Sequence, residues 1–389
     1  MIYLDNAAST QIHEDVLTSM LPYLKEQYGN ASSIHRYGRM SRKAIEKARK
    51  QIAFLINAEP SEILLTSGGT ESNNTVLSGI PVKNIPCNIV TSSIEHDAIL
   101  EPCKKLSQNG LEIKYLPVDK SGMIDPTELK NNISDNTCLV SIMFGNNEVG
   151  TVQKISEISQ ICHEKKVPFH TDAVQAIGKI PIDVKELGID LLSISSHKLH
   201  GPKGIGALYI KNGIHIDPVI LGGGQERGLR SGTENVANIV GFGKACEIAK
   251  NNLSENLAYV TKLRDLLIDK VLDEIPEVTL NGDSKSRLPN NAHFTFLGVN
   301  GEDLIIKLDE YGIAASTGSA CSVNTQRASH VLQAMGFSHE QITGSLRLTL
   351  GIFNNEKEIE ETVNSLKKIV EELRSVSPFK EKYSFSSKN

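Results

Sequence analysis

The chain has 389 residues, is 39% hydrophobic and 22% charged, and carries 30 glycines, 14 prolines and a formal net charge of -5. That length favours two domains over one, and the composition excludes collagen-like, low-complexity and disordered classes. A mildly acidic chain without runs of like charge offers no electrostatic footprint for nucleic acid or an anionic membrane, so a small substrate is expected. No apolar stretch approaches the ~18 residues of a membrane span. The start, Met1-Ile2-Tyr3-Leu4-Asp5, lacks the basic and apolar regions of a signal peptide, which predicts a cytoplasmic protein. Cys87, Cys103, Cys138, Cys162, Cys246 and Cys321 are widely spaced with no C-x-x-C, so neither a zinc site nor a disulfide framework is expected, and no metal.

In chain order, residues 1–38 read as irregular, with polar loops around one helix. Over 39–55 the positions Ala44, Ala48, Ile52 and Leu55 fall at helical spacing. Strands and helices then alternate. Ile63-Leu64-Leu65 runs through Thr66-Ser67-Gly68-Gly69-Thr70-Glu71 into a helix, and short apolar runs follow at 89–90, 138–143, 167–170, 189–194 and 205–210. Such alternation predicts an α/β fold with a mostly parallel central sheet and helices on both faces. Near residue 250 the pattern changes to a long amphipathic helix over 253–272, strands at 278–280 and 292–296, and a helix over 302–311. A Gly/Ser/Thr-rich loop, a strand at 346–350 and a last helix opened by the capping box Asn355 and Glu358 complete the chain. The division predicts a large domain over 1–250 and a smaller α+β domain over 251–389. Residues 1–15 are placed with the latter and its loop is put at 316–329.

Several residues point to chemistry before any likeness is considered. Lys198, in Ser195-Ser196-His197-Lys198 at a strand end before a glycine-rich turn, is a candidate Schiff-base amine, although a lysine in a turn is more often a solvated charge. Ser67-Gly68-Gly69-Thr70 suits a phosphate, because glycines admit the anion and the following helix offers free N–H groups; an ordinary turn reads the same way. Asp172 ends a strand where open α/β sheets bind ligands and could pair with a protonated ring nitrogen, or cap a helix. His96 follows another strand, where an imidazole could stack on a flat cofactor and move protons, or serve structure alone.

An amine, a phosphate turn, an acid for a ring nitrogen and a stacking ring form the parts of a pyridoxal phosphate site. Across nearly its whole length the sequence resembles the cysteine desulfurases of the NifS/IscS type, in the class V aminotransferase family of fold-type-I pyridoxal 5'-phosphate enzymes. The matching stretches include Tyr3-Leu4-Asp5-Asn6-Ala7-Ala8, Thr66-Ser67-Gly68-Gly69-Thr70-Glu71-Ser72, Asn146-Asn147-Glu148-Val149-Gly150 and His170-Thr171-Asp172-Ala173-Val174-Gln175. Others are Ser196-His197-Lys198, Gly222-Gly223-Gly224-Gln225-Glu226, Arg230-Ser231-Gly232-Thr233 and Ser316-Thr317-Gly318-Ser319-Ala320-Cys321-Ser322.

The resemblance implies that Lys198 binds the cofactor covalently, Asp172 pairs with its ring nitrogen, Gln175 with its ring hydroxyl, and His96 stacks on its face. Gly69, Thr70, Ser195 and His197 would hold the phosphate, joined by Thr233 of a second subunit, which implies a homodimer. Asn147, Arg347 and Asn6 would bind the substrate; Leu346, Leu348 and Leu350 alternate onto one face and leave Arg347 on the other. Cys321 would be the nucleophile that takes sulfur from L-cysteine as a persulfide, leaving L-alanine. The sulfur then passes to an acceptor protein, such as an iron-sulfur cluster scaffold or a tRNA or cofactor thiolation enzyme. The sequence departs from the family where Arg327-Ala328 replaces a frequent Glu-Pro and Ile352 a frequent Arg, and it ends soon after Pro378-Phe379-Lys380 without the longer tail of housekeeping members. These departures leave the acceptor open. A selenocysteine lyase, another class V enzyme, or a regulator that keeps the fold without catalysis stand as alternatives.

Overall fold

The computed structural model describes residues 1–80, 87–318, 328–377 and 383. Its strands are β1 (Ile2–Tyr3), β2 (Ile63–Thr66), β3 (Asn88–Ser92), β4 (Glu112–Leu116), β5 (Thr137–Ser141), β6 (Phe169–Asp172), β7 (Leu191–Ser195), β8 (Gly206–Ile210), β9 (Val278–Leu280), β10 (Asn291–Phe296), β11 (Ile313–Ala314) and β12 (Ser345–Thr349). Seven of them form one sheet in the order β2-β8-β7-β6-β5-β3-β4. Strands β3 to β7 are parallel, and β8 runs antiparallel to both β7 and β2.

Side-chain alternation along these strands divides the apolar core in two. Ile63 and Leu65 of β2 and Leu192 and Ile194 of β7 face a layer that includes helices Arg36–Leu55 and Val236–Asn251. Leu64 and Leu191 face the opposite layer, with Val76 and Leu77 of helix Gly69–Gly79 and Ile99 of helix Asp97–Gln108. Both faces are covered, which is why β2 and β7 are buried at every position and read as continuous apolar runs. The edge strand β4 (Glu-Ile-Lys-Tyr-Leu) has no such run and was not expected from the sequence; its charges suit an edge that must not pair further.

A second body of packing gathers Leu263 and Leu267 of helix Leu253–Glu274, Phe294 and Phe296 of β10, Leu346 and Leu348 of β12, and Val363 and Leu366 of helix Glu356–Val376. Here β12, β10 and β9 form an antiparallel sheet. The capping box at Asn355 and Glu358 opens the last helix as its sequence predicts. Ile2 and Leu4 belong to this same core, because β1 pairs in parallel with β11. The chain then returns toward the large sheet through residues 5–10. A buried ion pair ties the glycine-rich stretch near 222–232 to that sheet. The guanidinium of Arg49 forks onto both carboxylate oxygens of Glu226 at 2.7 Å, and Glu226 also accepts from the Leu65 N–H at 2.9 Å.

Candidate active site

The carboxyl ends of β3, β5, β6 and β7 open onto a cavity of about 220 Å³, the place where parallel sheets leave a crevice for ligands. Asp172 is the last residue of β6. Its Oδ1 accepts from the Val174 N–H at 2.9 Å and its Oδ2 from the Asn73 side chain at 2.6 Å, so the carboxylate is fixed from two sides. Two residues earlier on the same strand, His170 lies between Ser141 Oγ at 2.8 Å and Ser193 Oγ at 3.0 Å. Complete burial pushes its pKa down to about 3, so this imidazole is neutral and structural.

Opposite Asp172, helix Gly69–Gly79 starts at the cavity with no side chain capping it, leaving its first N–H groups open. Glycine at 69 is required by packing: a Cβ there would lie 2.6 Å from Val174 Cγ2. The same holds at Gly206 of β8, where a Cβ would come within 2.7 Å of Gly68 Cα, so the turn rests directly on the strand. Uncapped amides beside Thr70 and Ser195 make this end of the cavity an anion site.

Lys198 closes a short 3-10 turn, Ser196–Lys198, directly after β7. Its amine donates to the carbonyls of Ala7 and Ala8, the latter at 2.8 Å. Burial and the nearby Arg347 push its pKa down to about 8, against the opposing pull of Asp5 and Asp172. Burial and Lys198, Lys203 and Lys179 push His197 to about 4, so it enters the site neutral, with Nδ1 3.3 Å from Ser9 Oγ. His96 caps helix Asp97–Gln108, its Nδ1 accepting from the Ala98 N–H at 3.0 Å. That bond fixes the tautomer of the neutral ring with its proton on Nε2. Gln175 donates its amide to the Ala7 carbonyl at 2.9 Å.

The aminotransferase class-V family model matches residues 2–362. A protein named cysteine desulfurase IscS from Dictyoglomus turgidum is 48% identical over 390 residues, spanning 100% of this chain and 99% of its own. One of the same name from Methanosarcina thermophila is 51% identical over 379 residues, 97% of this chain and 94% of its own. The chain belongs to the NifS/IscS branch of the class-V aminotransferase family. Solved structures agree. A NifS-like protein superposes with a TM-score of 0.89 at 40% identity, covering 96% of this chain and 100% of its own. A protein titled SspA in complex with cysteine gives 0.81 at 36%, covering 91% and 100%.

The fold is therefore that of the fold-type-I pyridoxal phosphate enzymes, and members of this family depend on pyridoxal 5'-phosphate. The residues present fit that group: an uncapped helix start for a phosphate, a doubly anchored carboxylate for a ring nitrogen, and a lysine amine of lowered basicity, all lining one cavity. Only a neutral amine attacks a carbonyl. The rate at which the apo-protein takes up the cofactor should therefore climb with pH and level off near about 8, not near the 10.5 of an ordinary lysine. Stopped-flow absorbance across that range measures it, and a plateau near the ordinary value would count against the lowered basicity of the half-buried Lys198 amine.

Of the residues expected from the sequence, Gly69, Thr70, His96, Asn147, Asp172, Gln175, Ser195, His197 and Lys198 line this one cavity. Arg347 stands beside it, buried, donating to the Asn147 carbonyl at 2.9 Å. Two others are placed elsewhere. Asn6 is buried with its amide donating to the Thr349 carbonyl at 2.9 Å, a tie between the N-terminal segment and β12 rather than a wall of the cavity. Thr233 is exposed and does not line the cavity of its own chain. Cys321 lies outside the described residues.

Sequence reasoning missed several groups in or beside the cavity. Asn73 holds Asp172, and its spacing of four from Gly69 on one helix was the available signal. Glu95, beside His96, is fully buried; burial pushes its pKa up to about 8, so the carboxyl is neutral at pH 7. Its Oε1 accepts from Ser92 Oγ at 2.6 Å and the Met143 N–H at 2.9 Å. Lys179, four residues after Gln175 in a turn, donates to the Gln175 carbonyl at 2.8 Å and is pushed to about 7 by burial and Lys198. Nothing in the sequence marks either group, because burial, joined for Lys179 by the nearby Lys198, makes them unusual.

Proposed function

We propose that the protein is a cysteine desulfurase that removes sulfur from L-cysteine, releases L-alanine and carries the sulfur as a persulfide on Cys321. The observation that carries this reading is Lys198, an amine of lowered basicity in one cavity with the anchored Asp172 carboxylate and the open helix start. Pyridoxal 5'-phosphate supplies an electron sink for charge developing at the substrate α-carbon.

The chain's own residues do the rest. Thr70, Ser195, His197 and the amides after Gly69 bind the phosphate, with Thr233 added by a second subunit of a homodimer; its exposure on its own chain supports delivery to a neighbour. Asp172 holds a proton at the ring nitrogen, and Asn73 and the Val174 N–H keep that carboxylate in place. The Gln175 amide, one N–H of which donates to the Ala7 carbonyl, has a second N–H for the ring hydroxyl. Lys198, basic enough to accept and acidic enough to return a proton near neutrality, moves the α-proton. Arg347 and Asn147 bind the substrate carboxylate, and His96 Nε2 moves a proton at the sulfur or the product carbon.

The described residues on either side of the segment that carries Cys321 are anchored at this site. Gly318 accepts from Arg347 at 3.3 Å, and Ser329 Oγ donates to Glu148 Oε2 at 2.5 Å, so both roots are tied beside Asn147 and Glu148. The separate apolar cores support a large unit over 1–250 and a small unit over 251–389, with the first residues joined to the small one. Among the described residues no helix is long and apolar enough to cross a membrane, which fits a cytoplasmic enzyme handing sulfur to a protein acceptor of iron-sulfur or thiolation chemistry. The test is direct: holoenzyme given L-cysteine and a dithiol is expected to release alanine and sulfide in equal amounts. Alanine without sulfide, or neither product, would remove the proposal.

A further inference from the structure

The N-terminal segment meets the site with a charge of its own. Asp5 Oδ1 accepts from Arg347 Nη2 at 2.9 Å, in a pair whose side chains are only 21% and 6% exposed. Arg347 Nη1 is occupied by the carbonyls of Asn147 at 2.9 Å and Gly318 at 3.3 Å. Its Nε–H, by contrast, is buried and has no partner among the described residues. A guanidinium presents its donors in a fixed planar fork, so the Nε–H and the remaining Nη2–H form one edge that a carboxylate can take side-on. An incoming carboxylate must then share Nη2 with Asp5.

Asp5 is not free to retreat. Its backbone bridges Thr349, its carbonyl accepts from Tyr3 Oη at 3.1 Å and from the Ala8 N–H at 3.0 Å, and the next residues are held by Lys198 and Gln175. We infer that Asp5 is a positioning residue that acts through Arg347: a fixed countercharge that weakens the hold on the α-carboxylate of substrate and product alike. The inference rests on the proposal that Arg347 binds that carboxylate. Two carboxylates on one guanidinium repel, and the repulsion is stronger where water is excluded. Because cysteine and alanine share this group, the effect is on uniform binding: it raises KM and speeds product release without touching the chemical step. Between turnovers the same pair keeps a buried guanidinium compensated and oriented, which an unpaired charge there would not be.

The experiment compares wild-type, Asp5→Asn and Arg347→Gln holoenzymes. Calorimetry gives the Kd of L-alanine and of cysteamine, which lacks the carboxylate, and steady-state assays give KM and kcat for L-cysteine. Asp5→Asn should lower the alanine Kd and the cysteine KM by the same factor, about tenfold. Its cysteamine Kd should be unchanged, and kcat should not rise. A KM that is unchanged or increased, or an equal effect on cysteamine, overturns the inference. Arg347→Gln should weaken alanine about a hundredfold; if it does not, the assignment of Arg347 itself fails, whatever Asp5 does. Asp5→Ser, which removes the charge with a smaller side chain, is expected to shift both constants in the same direction, and serves if Asp5→Asn does not accumulate as folded protein.

Discussion

Cys321→Ala holoenzyme is expected to release sulfide from cysteine more than about 10³-fold more slowly than wild type, while its cofactor absorption stays intact. The reason is a division of labour along the chain. Every residue proposed to bind the cofactor lies in the cavity at the carboxyl ends of the strands, apart from Thr233, which is proposed to come from a second subunit, whereas Cys321 belongs to the segment between Gly318 and Ser329. Removing one thiol leaves those cofactor ligands in place, so cysteine should still perturb the absorption band. What is lost is the thiolate that takes the sulfur, since a thiol or a water cannot replace it at a comparable rate. Mass spectrometry of the wild-type protein after cysteine, without a reducing thiol, should find one added sulfur on the peptide containing Cys321. Sulfide release surviving at the wild-type rate in Cys321→Ala would transfer the chain to the lyase reading, in which no protein thiol is needed.

Lys198→Ala should have an effect of similar size for a different reason. Turnover is expected to fall about 10³- to 10⁴-fold, the usual worth of a positioned acid or base, and borohydride should no longer fix the cofactor to the protein. In the wild type, reduction followed by digestion should mark the peptide containing Lys198. Lys179 is the instructive control. It is a second amine of lowered basicity, pushed to about 7, but it is committed to the Gln175 carbonyl. If reduction marks Lys179 instead, or if the alanine variant at 198 keeps its rate, the role given to Lys198 is wrong.

Much of this was legible in the linear chain. Apolar runs of strand length separated by helical segments determined a doubly covered, mostly parallel sheet, because such a sheet buries both faces of its strands. The positions of Lys198 and Asp172 at strand ends, and of Gly69 at a strand-to-helix turn, followed from the same reading, since ligands bind where parallel strands finish. The motif carrying Cys321 named a chemistry that no periodicity could. Strand β4 and the short pair β1 and β11 were not legible, because edge and two-residue strands have no apolar run to announce them.

Only the tertiary structure decided which side chains meet at the cavity. Asn6 and Thr233, within recognisable motifs, are placed outside the cavity, while Asn73 lines it and Glu95 and Lys179 are buried or bonded next to its wall residues His96 and Gln175. Their protonation follows from burial and from neighbours far apart in sequence, as when Arg347 lowers Lys198 across 149 residues, 347 less 198. The same holds for Asp5, which sequence reading left as an unassigned letter in a motif. It faces Arg347 because β1 joins β11 and the next residue pair, Asp5 and Thr349, bridges the chain start to β12. A sequence determines the kinds of residue that can do the chemistry; long-range packing sets which charges meet, since electrostatic interaction depends on distance and burial, neither of which is written in order along the chain.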